Sequence, residues 1–296
     1  MKLTRSPVRP RLVACLALVA LWAAAPAVRA QAPFPEPRRA AEALVAAITA
    51  DDTAALSKLL GANWRQLLAP ERIDPEDKQA FLDKARESLE VKQTGARAEV
   101  TVGKDAWSFP IPLAQGKDGQ WRFDLKGGRE ALLERRIGEN ERSAMQAARA
   151  YVDAQREYAL ADRNGDGQPE YALKLLSSPG KRDGLIWSQS LGDDSPLGEA
   201  FLPSRPGEGY HGYRFKLLTS QGANANGGKR SYLIGKRLLS GFALLAWPVE
   251  YGRTGVMSFQ VNQDGRVYER DLGPQTSQLA GKIVSFDPGK DWREAK

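Results

Sequence analysis

From residue 38 the apolar positions fall three or four apart, and from about residue 96 they fall two apart. The first half of the chain therefore reads as helices followed by strands. In RRAAEALVAAITADDTAALSKLLG, alanine and leucine dominate, and Leu44, Ala47 and Ile48 share one helical face. Asp51, Asp52 and Thr53 interrupt that run and can cap a second helix, which ends at Leu60 with Gly61 as its stop. PEDKQAFLDKARESL predicts a third helix, with Asp74 ahead of it and Pro75 as a favourable first helical residue. ARAEVTVG, WSFPIPLAQ and QWRFDL then alternate as strands. The last two are joined by a turn over Gly116, Lys117, Asp118 and Gly119.

A long helix is expected next, over residues 128–160, with a break near Gly138. Met145, Ala148, Val152 and Tyr158 form its apolar stripe, while Gln146, Arg149, Asp153 and Arg156 form its wet face. GYRFKLLT, FALLAWPV, GVMSFQV and RVYERDL are strand candidates, and Asn262, Gln263, Asp264 and Gly265 make a hairpin turn between the last two. Long loops rich in glycine, proline and asparagine lie over residues 190–209 and 220–229; such loops are either binding surfaces or mobile. Helices, an antiparallel meander, then a long helix with a second antiparallel sheet make an α+β chain. The expected domains are residues 31–137 and 138–296.

Residues 1–30 stand apart. Lys2, Arg5, Arg9 and Arg11 precede an almost wholly apolar run over residues 12–25, and Val28, Arg29 and Ala30 follow as a cleavage site would. The run is broken by Pro26 and is shorter than the ~20 residues that span a bilayer. A secretory signal peptide is expected rather than a membrane anchor, and with it a periplasmic or secreted protein. The segment holds five basic residues and no acidic one, so the formal charge of +7 becomes +2 without it. That removes the case for nucleic acid, which needs a clustered basic surface. The single cysteine, Cys15, also lies in the segment, so the remainder has no disulfide, thiol nucleophile or thiolate metal site. No stable membrane anchor is expected after signal cleavage.

DRNGDGQPE, residues 162–170, carries the most specific chemistry. Calcium takes six to eight oxygens, and a hand-type loop supplies them from positions one, three and five and from a backbone carbonyl at seven. Asp162, Asn164, Asp166 and Gln168 occupy those positions, with Gly167 at the sharp turn. Leu173 stands where the bidentate glutamate belongs, and Glu170, at position nine, could serve instead. An Asx-and-glycine turn without metal accounts for the same residues. A calcium ion held here would brace the structure, because protein oxygens would fill its coordination.

Other candidates are weaker. His211 is the only histidine, which excludes sites built on two or three of them. No serine sits in a G-x-S-x-G elbow, and GANANGG lacks the lysine of a phosphate loop. Trp187, Tyr210, Tyr213 and Trp247 either line an aromatic groove for sugar or peptide or pack in the core. A hydrolase would require acids such as Asp183, Asp193, Asp194 and Glu208 to converge with His211. Two of those acids facing each other within about 5–10 Å would favour that reading.

RIGENERSAMQAARAYVDAQREYALADRNGDGQPEYALKLLSSPGKRDGLIW resembles the bacterial DUF2950 family. The later blocks SPLGEAF, YHGYRFKLLTSQG, GFALLAWPVEYGRTGVMSFQVNQDGRVYERDLG and FDPGKDW agree, so the resemblance runs from about residue 40 to residue 292. It implies an exported bacterial protein and transfers no catalytic residue. The order of the first domain is similar to nuclear-transport-factor-like or cystatin-like folds, and the helix leading into DRNGDGQPEYA is distantly similar to pilin-like secreted proteins. The expectation is a non-enzymatic binding or structural module that meets a protein or small ligand in the cell envelope. A hydrolase of cell-wall or saccharide substrates is the alternative.

Overall fold

The computed structural model describes residues 31–68, 74–163, 165, 167–198, 201 and 207–296. The expected signal peptide over residues 1–30 lies outside them. The chain divides into two compact units, Met1–Leu125 and Lys126–Lys296, each with its own core. The division falls where the long helix begins, earlier than the expected boundary at residue 138.

Among the described residues the first unit opens with the α-helices α1 (Pro37–Thr49), α2 (Thr53–Leu60), α3 (Trp64–Leu68) and α4 (Pro75–Glu87). Asp52 caps α2 by accepting the N–H groups of Ala54 and Ala55 at 3.0 and 2.9 Å, and Gly61 ends it at φ 91°. The strands are β1 (Leu89–Thr94), β2 (Arg97–Val102), β3 (Trp107–Ser108), β4 (Leu113–Gln115) and β5 (Trp121–Phe123). They form an antiparallel sheet in the order β1-β2-β4-β5, with β3 also paired to β2. WSFPIPLAQ, expected as one strand, is split into β3 and β4. Pro110 and Pro112 within it have no N–H to offer a ladder. β1 and α3 were not legible in the sequence. β1 is a mostly exposed edge strand with little apolar alternation, and α3 is a single turn. Leu44, Leu60, Val100, Ile111, Leu113 and Phe123 bury the shared face of helices and sheet.

The second unit is built on α5 (Leu125–Tyr158), which runs through Gly138 without a break. Its strands are β6 (Tyr213–Leu218), β7 (Ser220–Gln221), β8 (Arg230–Ser231), β9 (Leu233–Ile234), β10 (Arg237–Leu238), β11 (Ala243–Pro248), β12 (Met257–Asn262) and β13 (Val267–Asp271). A short helix, α6 (Thr276–Lys282), precedes β14 (Arg293–Glu294). The main sheet is antiparallel in the order β14-β13-β12-β11-β6, with β7–β8 and β9–β10 as separate pairs. The β12–β13 hairpin turns at Gly265, whose N–H reaches the Asn262 carbonyl at 2.9 Å. Ala144, Ala148, Tyr151, Val152 and Tyr158 of α5 enter the core, while Gln146, Arg149, Asp153 and Arg156 stay exposed, as their spacing predicts. Glu141 on the same helix accepts the N–H groups of Val256 and Met257, both at 2.9 Å, and so ties α5 to the start of β12. Among the described residues no helix is long and apolar enough to cross a membrane.

Candidate functional site

The helices of the first unit do not close completely over its sheet. They leave a cavity of about 630 Å³. Leu44 and Ile48 of α1 and Leu56 and Leu60 of α2 line it, as α1 and α2 turn their apolar faces inward. Trp64 and Leu68 of α3 continue the wall. On α4, Asp77, Phe81 and Lys84 fall at helical spacing on one side of the cylinder and face the same space. Trp107 of β3 and Phe109 after it complete an aromatic side. The Phe81 ring lies 6.0 Å from Trp107 and 6.1 Å from Phe109, edge-on or tilted to each. Trp107 remains 40% exposed, so part of this aromatic surface meets water.

The ionic residues of the lining lie at its exposed margin. The Lys78 ammonium pairs with Asp51 across from α4 to the α1–α2 turn, and the Lys84 ammonium pairs with Asp105. The hydrogen bond from Lys84 holds the Asp105 carboxyl below its ordinary range, against the opposing effect of desolvation. Arg65 is exposed, and its guanidinium lies 5.1 Å from the centre of the Trp64 ring. The Trp64 indole N–H is satisfied by Ser57 Oγ at 3.0 Å. An apolar interior with charge at the mouth can hold a ligand, and among the described residues of the lining no acid–base pair faces inward. Nothing in the sequence signalled this cavity. Its wall residues read there as ordinary core positions.

The DRNGDG stretch follows the C-terminal end of α5. Asp162 Oδ1 accepts the Gly165 N–H and Oδ2 accepts the Gly167 N–H, both at 2.8 Å. Those two glycines adopt φ of 76° and 95°, in the left-handed region that lets the backbone curl over the carboxylate. Asn164 and Asp166 lie outside the described residues. The Gln168 side chain is turned to β10, where its Oε1 accepts from Arg237 Nη1 at 2.9 Å. Glu170 is half-buried beside Tyr158. Burial first, and then the negative charges of Glu170 and Asp183, push the Tyr158 hydroxyl up to about 12. That hydroxyl donates to the Arg182 carbonyl at 2.8 Å. Arg163 points inward and pairs with Asp193 at 3.3 Å, where Arg182 joins it at 2.6 Å. Both guanidiniums lie against the Trp187 ring, at 5.7 and 6.0 Å. The stretch is thus tethered on several sides by protein contacts. Among the described residues no group of three His, Cys, Asp or Glu side chains converges on a metal position.

A family model described as a protein of unknown function, DUF2950, matches residues 31–295. The chain belongs to the DUF2950 family. No curated protein and no solved structure matches it.

In this DUF2950 chain two of the four acids considered for hydrolysis, Asp183 and Asp193, are separately engaged. Asp183 accepts from Lys174 Nζ at 2.6 Å, from the Ser178 N–H at 2.7 Å and from the Ser178 hydroxyl at 3.0 Å. Partial desolvation works to raise its carboxyl, but these donors outweigh it and bring it to about 2. Asp193 is held by the two arginines, and Asp194 and Glu208 are exposed. His211 is exposed at φ 45°, with its ring edge-on to Tyr210 at 4.4 Å, and Tyr210 stacks on Phe201 at 4.6 Å. The aromatic residues divide. Tyr213 and Trp187 are core, with the Tyr213 hydroxyl bonded to the Met257 carbonyl at 2.8 Å, while Tyr210 and Trp247 are half-buried.

Proposed function

We propose that this DUF2950 protein is a non-enzymatic binding module of the bacterial cell envelope, exported by residues 1–30. Its ligand is a small molecule with an apolar body, taken into the cavity of the first unit. The cavity carries the reading: about 630 Å³ falls within the range of small-molecule sites, and its walls are hydrocarbon and aromatic. The engagement of Asp183 with Lys174 and of Asp193 with two arginines speaks against a hydrolase, because neither acid is left to act as a proton donor or nucleophile. The loop at Asp162 serves as a brace at the end of α5 and takes calcium in a structural role. Its support is the spacing of oxygen-bearing residues and the curl of glycine N–H groups around the Asp162 carboxylate.

The test is a fluorescence titration of the full chain with N-phenyl-1-naphthylamine, a neutral apolar probe. A saturable rise is expected. Leu68→Trp, which fills the wall beside Trp64, is expected to weaken it at least tenfold while the far-UV circular dichroism is retained. A linear, non-saturating response would remove the reading.

A further inference from the structure

The cavity's rim carries charged side chains of both signs. Among its lining residues Arg65, Lys78 and Lys84 are cationic, while Asp51 and Asp77 are anionic. Asp51 is engaged by Lys78, and the partner of Lys84, Asp105, lies outside the lining. With Asp105 counted beside Lys84, the mouth sets three cations and three carboxylates over an apolar interior, and two of the cations are already paired. An ammonium keeps further donors after one ion pair, so both lysines still favour an oxyanion nearby. Arg65 is the cation best placed for a ligand. It is exposed, it has no ion pair among the described residues, and it lies over the indole that forms the wall. A guanidinium held against a ring face presents its N–H edge outward, which suits a carboxylate or phosphate.

We infer that the cavity accepts a single-chain amphiphile with an anionic head, the chain lying among Leu56, Leu60, Phe81 and Phe109 and the head meeting Arg65. This inference rests on the binding reading proposed above and names the ligand class for that site. Burial of the chain supplies most of the affinity, at roughly 25 cal/mol per Å² of apolar surface. The head adds selectivity. An exposed charge pair strengthens binding on the order of fivefold and weakens with salt.

The experiment measures displacement of bound N-phenyl-1-naphthylamine from the full chain by dodecanoate, dodecanol and dodecylammonium. Dodecanoate is expected to bind on the order of fivefold more tightly than dodecanol, and dodecylammonium most weakly. In Arg65→Gln the ratio of dodecanoate to dodecanol affinity is expected to fall toward one. Arg65→Lys should keep part of that ratio, and Asp77→Asn should raise it. Equal affinity for dodecanoate and dodecanol, or tightest binding of dodecylammonium, would overturn the anionic-head assignment and leave the apolar site standing. A ratio unchanged in Arg65→Gln would overturn the role of Arg65. Failure of all three together with the neutral probe would remove the binding reading itself.

Discussion

Gln155 is fully buried on α5, and its amide is matched to the main chain of Ala172: Nε2 donates to the carbonyl at 2.9 Å and Oε1 accepts the N–H at 2.8 Å. The same Nε2 donates to the Tyr151 hydroxyl at 3.0 Å, which donates in turn to the Ala243 carbonyl at 3.2 Å. Removing the amide would leave two backbone groups buried without partners. Gln155→Ala is therefore expected to cost about 3 kcal/mol in urea unfolding, more than the loss of one exposed hydrogen bond. Asp183 makes a different prediction. Its folded pKa of about 2 lies below the ordinary 3.8, so its contribution is present above pH ~4 and is lost as pH falls through 2. The Tm difference between the native chain and Asp183→Asn should be largest near neutral pH and shrink between pH 4 and pH 2. Neither role was legible in the sequence. Nothing in the helical pattern singles out Gln155, and Asp183 stands there only among the acids a hydrolase would need.

Among the elements, α5 is where local preference and the observed structure part. A glycine inside a helix costs about 1 kcal/mol relative to alanine, which is why a break at Gly138 was a fair expectation. The rest of this thirty-four-residue helix is mostly good helix formers apart from Gly127 and Gly128 near its start, and with the anchor at Glu141 and the apolar stripe it outweighs that cost. A Cβ added at Gly138 would meet nothing within 4 Å. Gly138→Ala should therefore raise stability by about 0.5–1 kcal/mol, read as a higher urea midpoint at unchanged helical content. The strands show the same contest. β6, β11, β12 and β13 were all visible as apolar or alternating runs, because a sheet packed on a helix must write its burial into its residues. β7 to β10 and β14 have two residues each and carry no period to read.

For the whole molecule, the calcium proposal predicts a global effect from a local brace. At a hundredfold excess over its dissociation constant a ligand adds about 2.7 kcal/mol, so calcium should raise Tm by roughly 5–10 °C in a chelator-treated sample. Asp162→Ala should abolish that rise, and equal Tm with and without calcium in the native chain would end the proposal. The sequence by itself determined the α+β class, the helical first segment, the long amphipathic helix and the main strands of the second sheet, since each is imposed by the period at which its own side chains meet the core. It also determined that cysteine chemistry and multi-histidine sites are absent beyond residue 30. Only the tertiary structure decided where the cavity opens, which charges stand at its mouth and which acids are engaged by cations. Those facts depend on how far the helices close over a sheet and on pairs such as Lys84 with Asp105 or Arg163 with Asp193, whose partners lie on different turns of the chain. Periodicity records which face of an element is buried, and it does not record the gaps left when several such faces meet.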